Sequence, residues 1–395
     1  VSWYEPGGFW AVTRYEDIRA VNSQPTLFSN AFGLAMGDGV DAEGAAAVLS
    51  DEQLRQVRSG ELTAAETRRL VSDAKMLEDG GESLGASDPP RHSQLRKLVS
   101  RAFTPRMVAG YHERIAKIVA DTFRAIPIGE DIDFVEQVAV PIPALVMAEF
   151  LGVPPADRAR FVTWANSIAL IIDEQDPRRQ AELHEDVLQM REYARFRLEQ
   201  TKLNPGDDLL SALNAVELDG ERLSEANKVM FAFAFLFAGN ETTRHLISGT
   251  LKALSDHPGE HAWLVADPDR SDNAIDELLR WVSPVIGLFR TATEDCEIGG
   301  QRIARHDWVY LIYASANRDE SAFEWAGRLD LSRDGDHLAF GYGAHRCLGS
   351  NLARLEGRLV LRQLATDYRR FELTGPPERL SSTIFNGYSS MPARF

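Results

Sequence analysis

Cysteine is scarce in this chain: two thiols, Cys296 and Cys347, in 395 residues. Two distant cysteines cannot make a disulfide framework or a thiolate zinc cluster, and such economy suits a reducing cytoplasm. Basic residues are outnumbered, 43 Lys and Arg against 59 Asp and Glu, so the net charge is −16. That balance argues against broad nucleic-acid binding and favours a soluble, self-repelling molecule. Long apolar runs are missing. The greasiest segment, "VMFAFAFLFAG" from Val229 to Gly239, is about half the roughly 20 residues of a membrane span and reads as a buried helix. The opening "VSWYEPGGFWAVTRYEDI" lacks the apolar core of a signal peptide. Several catalytic motifs are missing too. There is no GxxxxGK[ST] loop, and "GYGAHR" at Gly341 starts like GxGxxG but lacks the last glycine. His112 in "HERIA" and His184 in "HEDVL" lack the second His of HExxH, and no GxSxG elbow exists. Self-bound dinucleotides, zinc peptidases and serine-hydrolase elbows are thereby set aside.

Helical signals dominate what is present. "SDEQ" at Ser50 and "TAAE" at Thr63 read as capping boxes inside a Gly-, Ala- and acid-rich stretch, 37–85. "TPRMVAGYHERIAKIVADTFRAI" from Thr104 is amphipathic at a 3.6 period. From a Ser224 cap to Pro258 runs one uninterrupted element, 224–257; some 32 residues at about 1.5 Å each would span about 48 Å, enough to cross a domain. Strand signals are few: "FWAV", "CEIGGQRIA" with its Gly-Gly turn, "WVYLIYAS" and "FEL". No repeat and no Pro- or Ser-rich linker divides the chain. The expectation is a mainly α fold with small antiparallel β-sheets, forming one domain over 1–395.

The chemistry concentrates in "AFGYGAHRCLGSNLAR", Ala339 to Arg354, within the segment 339–365. Gly341, Gly343 and Gly349 let the backbone turn tightly and approach something flat. Leu348, Leu352, Leu355 and Leu359 then mark a helix face. A thiol at a helix N-terminus is stabilised as thiolate, hence a nucleophile or metal ligand. A lone buried structural cysteine is the plainer reading, and spacing alone leaves all three open.

The run Phe340 to Gly349 matches FGxGxHxCxG and resembles the haem-thiolate signature of the cytochrome P450 family, soluble bacterial members above all. That resemblance implies the P450 fold with its long central helix. It implies Cys347 as proximal iron ligand, Phe340 beside the sulfur, and loop N–H groups, Gly349 included, tempering its basicity. "AGNETT", Ala238 to Thr243, falls where the family activates oxygen. By resemblance Ala238 lies against the haem, Gly239 leaves room for dioxygen, Thr242 hydrogen-bonds the reduced dioxygen, and Glu241 relays protons through water. "ELLR" with "RLD" resembles the family's structural triad, giving Glu277, Arg280 and Arg328. His92 and Arg96 of "DPPRHSQLR", Arg290 of "LFRTATED" and His345 resemble its clamp on the two haem carboxylates. Cys296 reads as an incidental apolar residue.

The resemblance also implies a hydrophobic pocket from Ala234, Phe237 and Ala238, from Val285, Ile286 and Leu288, and from Ile384 and Phe385, with Met36, Met76 and Leu77 on the lid. The 37–85 stretch is longer than the family pattern, which points to an unusual lid over the substrate channel. No flavin or iron–sulfur segment is present, so electrons come from a partner. Arg346, Arg354, Arg358 and Arg362 make a basic stripe able to dock an acidic ferredoxin, itself fed by a reductase from NAD(P)H. The expected protein is thus a cytoplasmic, membrane-free monooxygenase. Haem b (iron protoporphyrin IX) is the cofactor, and one oxygen atom from O2 enters a C–H bond of a terpenoid, steroid or lipid-like molecule. A non-catalytic haem-containing recruitment module and a peroxide-driven peroxygenase are the alternatives; an intact Glu241–Thr242 pair speaks against both.

Overall fold

The structure, a computed structural model, describes residues 1–31, 34, 50–59, 61, 82–102, 104–170, 176–218 and 220–395. The Thr63 box, Met36, Met76, Leu77 and most of 37–85 lie outside the described residues. The Ser50 box is built as expected: Ser50 N and Oγ both donate to Gln53 Oε1 at 2.9 Å, and helix Asp51–Ser59 follows.

One helix of 32 residues, Glu225–Asp256, organises the rest. Ser224 caps it, its hydroxyl accepting from Asn227 N at 3.1 Å; such a cap satisfies one of the free N–H groups at a helix start. No proline interrupts it until Pro258, which opens the next helix, Pro258–Ala266. Around it pack helices Pro141–Phe150, Arg158–Leu170, Pro177–Leu203, Ser271–Val282 and Ser350–Ala365. Neighbours on nearly every side explain why "VMFAFAFLFAG" is apolar all round rather than striped. Val229, Phe231, Ala232 and Leu236 are buried in the largest core cluster.

The amphipathic run from Thr104 is two helices, Pro105–Gly110 and His112–Arg124, not one. Tyr111 marks the break, its ring stacked on Phe150 at 4.1 Å and its hydroxyl donating to Asp207 O at 2.9 Å. Anchoring that ring across the fold outweighs helix continuity.

The main sheet is five-stranded, in the order Ser2–Tyr4, Phe9–Val12, Trp308–Leu311, Leu288–Ala292, Phe28–Ser29. Phe9–Val12 runs parallel to Trp308–Leu311, so this sheet is mixed rather than purely antiparallel. Trp308–Leu311 ends at Leu311, and Tyr313–Ala316 turns into a short helix. The Gly-Gly hairpin forms as read, Cys296–Ile298 against Gln301–Ile303, with Gly299 and Gly300 at φ +56 and +80. The "FEL" strand, Glu372–Leu373, pairs with Pro392–Arg394, which pairs in turn with Asp131–Asp133.

Candidate active site

The thiol loop is held by its own backbone. Gly341 N donates to Leu338 O and Cys347 N to Phe340 O, both at 2.9 Å, before helix Ser350–Ala365 begins. Gly343 must be glycine: φ is +70, and a Cβ would sit 2.3 Å from the Asn22 carbonyl oxygen. Cys347 precedes the helix N-cap, Gly349, by two residues. It is solvent-accessible yet lies deep in the protein. Desolvation pushes its thiol above the ordinary value, outweighing the Gly349 N–H and the charges of Arg96, Arg346 and Arg354. The expectation that the helix end alone makes a thiolate is therefore corrected. A metal ion bound by this sulfur would supply the missing stabilisation, since a coordinating thiol is deprotonated.

Beside the loop the four expected basic side chains, two arginines and two histidines, come together. His92 and Arg96 share one face of helix Arg91–Ala102, and the rings of His92 and His345 approach to 3.9 Å. A cleft of about 670 Å³ opens between His92, Ser93, Arg96 and Lys97 on one side and Gly343 and Ala344 on the other. Arg96 Nη2 donates to Arg346 O at 2.6 Å. Buried Arg290, on strand Leu288–Ala292, reaches Phe289 O at 2.6 Å and Asn22 Oδ1 at 3.2 Å. Burial pushes His345 down to about 3, helped by His92, Arg290 and Arg96; burial and Arg96 also lower His92. Both ring nitrogens of His92 and Nε2 of His345 are buried with no hydrogen-bond partner among the described residues. Asp88, the carboxylate acting on His92, is taken up by Ser29 and by Asn30 N at 2.9 Å. A crowd of basic groups with orphaned nitrogens fits a flat ligand bearing carboxylates, and the thiol fits an iron at its centre.

On the central helix Ala234, Ala238 and Thr242 recur at i, i+4, i+8 along one partly open face. Thr242 Oγ1 donates to Ala238 O at 2.8 Å. A Cβ at Gly239 would lie 2.7 Å from Met147 Sδ, so the missing side chain makes room for helix Pro141–Phe150. Glu241 is nearly fully buried on another face, its Oε1 2.7 Å from Arg244 Nη2 and 2.8 Å from His245 Nε2. Its Oε2 has no partner among the described residues. Arg244 and His245, three and four positions on, are partners the sequence reading passed over. The i,i+3 and i,i+4 rule for helix neighbours points to both.

The triad needs one correction. Arg280 donates to both oxygens of Glu277 at 2.7 Å, wholly buried. The second guanidinium on Glu277 belongs to Arg333, at 3.2 Å. Arg328 is exposed and joins only through its carbonyl, which accepts from Arg280 Nη2 at 3.0 Å. The basic stripe is corrected as well. Arg354, Arg358 and Arg362 pair with Asp276, Asp272 and Asp269 at 2.8, 3.6 and 2.7 Å. Those pairs join the thiol helix to Ser271–Val282 and the turn before it, so each of these arginines stands beside an acid rather than as a free cation. Arg346 stays exposed, with no ion pair among the described residues.

The expected pocket segments converge. Ile286 N donates to Ile384 O at 2.7 Å, Val285 bridges Phe385, and the Phe237 and Phe385 rings lie 6.3 Å apart. Leu288 and Val285 also pack on a second core cluster.

A thiol in a glycine-shaped loop, two arginines and two histidines clustered beside it, and a long helix offering a small-residue face define a haem-thiolate fold. Residues 271–392 match the cytochrome P450 family model. The chain is 34% identical over 388 residues to linalool 8-monooxygenase of Pseudomonas putida, covering 97% of this chain and 89% of that protein. It is 32% identical over 389 residues to a steroid C26-monooxygenase of Rhodococcus jostii, covering 97% and 75%. A Mycobacterium marinum cytochrome P450 solved with pseudoionone superposes with a TM-score of 0.80 at 36% identity, over 98% of this chain and 87% of that one. A Bacillus megaterium P450 solved with corticosterone gives 0.83 at 29% identity, over 100% and 94%. The chain belongs to the cytochrome P450 family and is a monooxygenase carrying a haem-thiolate cofactor. Among the described residues no helix is long and apolar enough to cross a membrane.

Proposed function

We propose that this chain, acting as one catalytic unit over 1–395, hydroxylates an apolar molecule of terpenoid, steroid or branched-lipid type in the cytoplasm, using haem b. The observation that carries this reading is the presence in one fold of the Cys347 loop with its arginine–histidine cluster and of the Ala234–Ala238–Thr242 face on the central helix. In this reading Cys347 ligates the iron, and Phe340 and Gly349 shape the sulfur's surroundings. His92, Arg96, Arg290 and His345 bind the carboxylates. The bound cofactor supplies oxygen activation. Ala238 lies against it, Thr242 holds a proton near the reacting oxygen, and Glu241 feeds that proton through water by its unpaired Oε2.

Substrate class is supported by what the pocket segments offer: Phe237, Val285, Ile286, Leu288, Ile384 and Phe385 bring no charge, so shape selects. Relatives named for linalool and for a steroid position fit that chemistry. Electrons come from a ferredoxin docking beside Arg346. The first experiment is a carbon monoxide difference spectrum of the reduced protein. A strongly red-shifted Soret band supports thiolate ligation; a band typical of a neutral ligand overturns it. Titration with linalool and with a steroid then ranks the substrate classes by spectral shift, and no shift with either rejects both.

A further inference from the structure

Asp276 stands one residue before Glu277 on helix Ser271–Val282, and its carboxylate reaches both ends of the thiol loop. On the chain entering the loop, His337 Nε2 hydrogen-bonds Asp276 Oδ1 at 2.9 Å. On the helix leaving it, Arg354 Nε donates to that same oxygen at 2.8 Å. The Nδ1 of His337 meanwhile accepts the Ala339 N–H at 3.1 Å, which puts the ring proton on Nε2, facing Asp276. Between the two arms lies Phe340. The Arg354 guanidinium sits 4.6 Å above its ring, and the His337 ring centre is 5.5 Å from it. Phe340 O in turn accepts from Cys347 N at 2.9 Å. Burial raises the Asp276 carboxyl, but His337 and Arg354 outweigh it and keep the group below its ordinary value.

We propose that Asp276 is a positioning residue for the iron ligand: through His337 and Arg354 it clamps Phe340, and through Phe340 it sets the Cys347 backbone. This rests on the reading of Cys347 as the haem ligand. A carboxylate suits the task because one anionic oxygen accepts from two converging donors. Partners one shell out from a metal ligand commonly change metal affinity or activity by about 10–100-fold when lost.

The test uses the haem-loaded protein and follows decay of the red-shifted carbon monoxide band into the shorter-wavelength band of a neutral ligand. Asp276→Asn is expected to speed that decay about tenfold, and Asp276→Glu, which keeps the charge, to restore most of the wild-type half-life. Arg354→Lys keeps a charge but loses the planar contact with Phe340, and is expected to speed the decay as well; it carries the test if Asp276→Asn does not fold. Asp272→Asn removes the neighbouring pair with Arg358, 3.6 Å apart, without touching the loop, and should leave the half-life unchanged. Wild-type decay in Asp276→Asn or, where that variant does not fold, in Arg354→Lys overturns the proposal, as does equal acceleration in Asp272→Asn. A wild-type protein with no red-shifted band would instead sink the ligand reading beneath it.

Discussion

Thr242 and Gly239 lie three residues apart on the central helix and face different neighbours. The Thr242 hydroxyl is parked on the Ala238 carbonyl at 2.8 Å, on the open face. Losing that bond costs stability only about 1 kcal/mol, so Thr242→Ala should fold and bind haem and substrate normally. On the proposed role it removes proton delivery, and product per O2 consumed should fall at least about tenfold, the remainder leaving as hydrogen peroxide. Full coupling in the variant would contradict the assigned role. The two glycines that matter also differ. A Cβ at Gly239 meets Met147 Sδ, a flexible side chain; one at Gly343 meets the Asn22 carbonyl oxygen at 2.3 Å, with φ at +70. Gly239→Ala should cost about 1–2 kcal/mol, an ordinary overpacking penalty. Gly343→Ala adds left-handed strain of roughly 1–2 kcal/mol to a backbone clash and should unfold earlier and lose haem faster. Thermal melts of the two variants side by side check the order.

Helix Ser271–Val282 shows how differently ion pairs behave along one element. Glu277 is wholly buried between Arg280 and Arg333, whereas Asp272, and Asp269 in the turn before the helix, pair with Arg358 and Arg362 at the surface. Exposed pairs of the latter kind contribute about 0–1 kcal/mol. Arg333→Ala takes a charged bond from a buried carboxylate and should cost about 1.5–3 kcal/mol. Arg328→Ala leaves its carbonyl in place and should stay within about 0.5 kcal/mol. Denaturant midpoints that reverse this order would restore Arg328 to the triad. The contrast also shows what was legible beforehand. Ser224, Pro258 and the polar break in an apolar run are local signals, and they carried the central helix and its Glu241–Thr242 pair. "RLDLSRD" offers two arginines five residues apart, and only the path of the chain past Glu277 selects Arg333. The arginine stripe likewise looked free because its acids sit about eighty residues earlier, on another helix. The parallel pairing of Phe9–Val12 with Trp308–Leu311 joins segments about 300 residues apart, which no local pattern announces.

At the scale of the whole molecule, a net charge of −16 would repel an acidic electron donor from most approaches. Local positive charge near the thiol loop decides where such a donor can settle. With Arg354, Arg358 and Arg362 paired with aspartates, Arg346 and Lys97 are exposed cations beside the loop with no ion pair among the described residues. Arg346 is the better probe, since it lies next to Cys347 in sequence and its hydrogen bonds in the loop are made by its backbone, the N–H donating to Gly343 O at 3.2 Å and the carbonyl accepting from Arg96. Charge reversal, Arg346→Glu, should slow the first electron transfer from an acidic ferredoxin about tenfold at low salt, with the substrate dissociation constant unchanged. The penalty should shrink as ionic strength rises, because at about 0.15 M salt exposed charges are screened beyond roughly 8 Å. Stopped-flow reduction under carbon monoxide, at two salt concentrations, reads both effects. A rate equal to wild type at low salt would move the docking site away from Arg346. A loss independent of salt would mean that the substitution had disturbed the loop rather than the encounter.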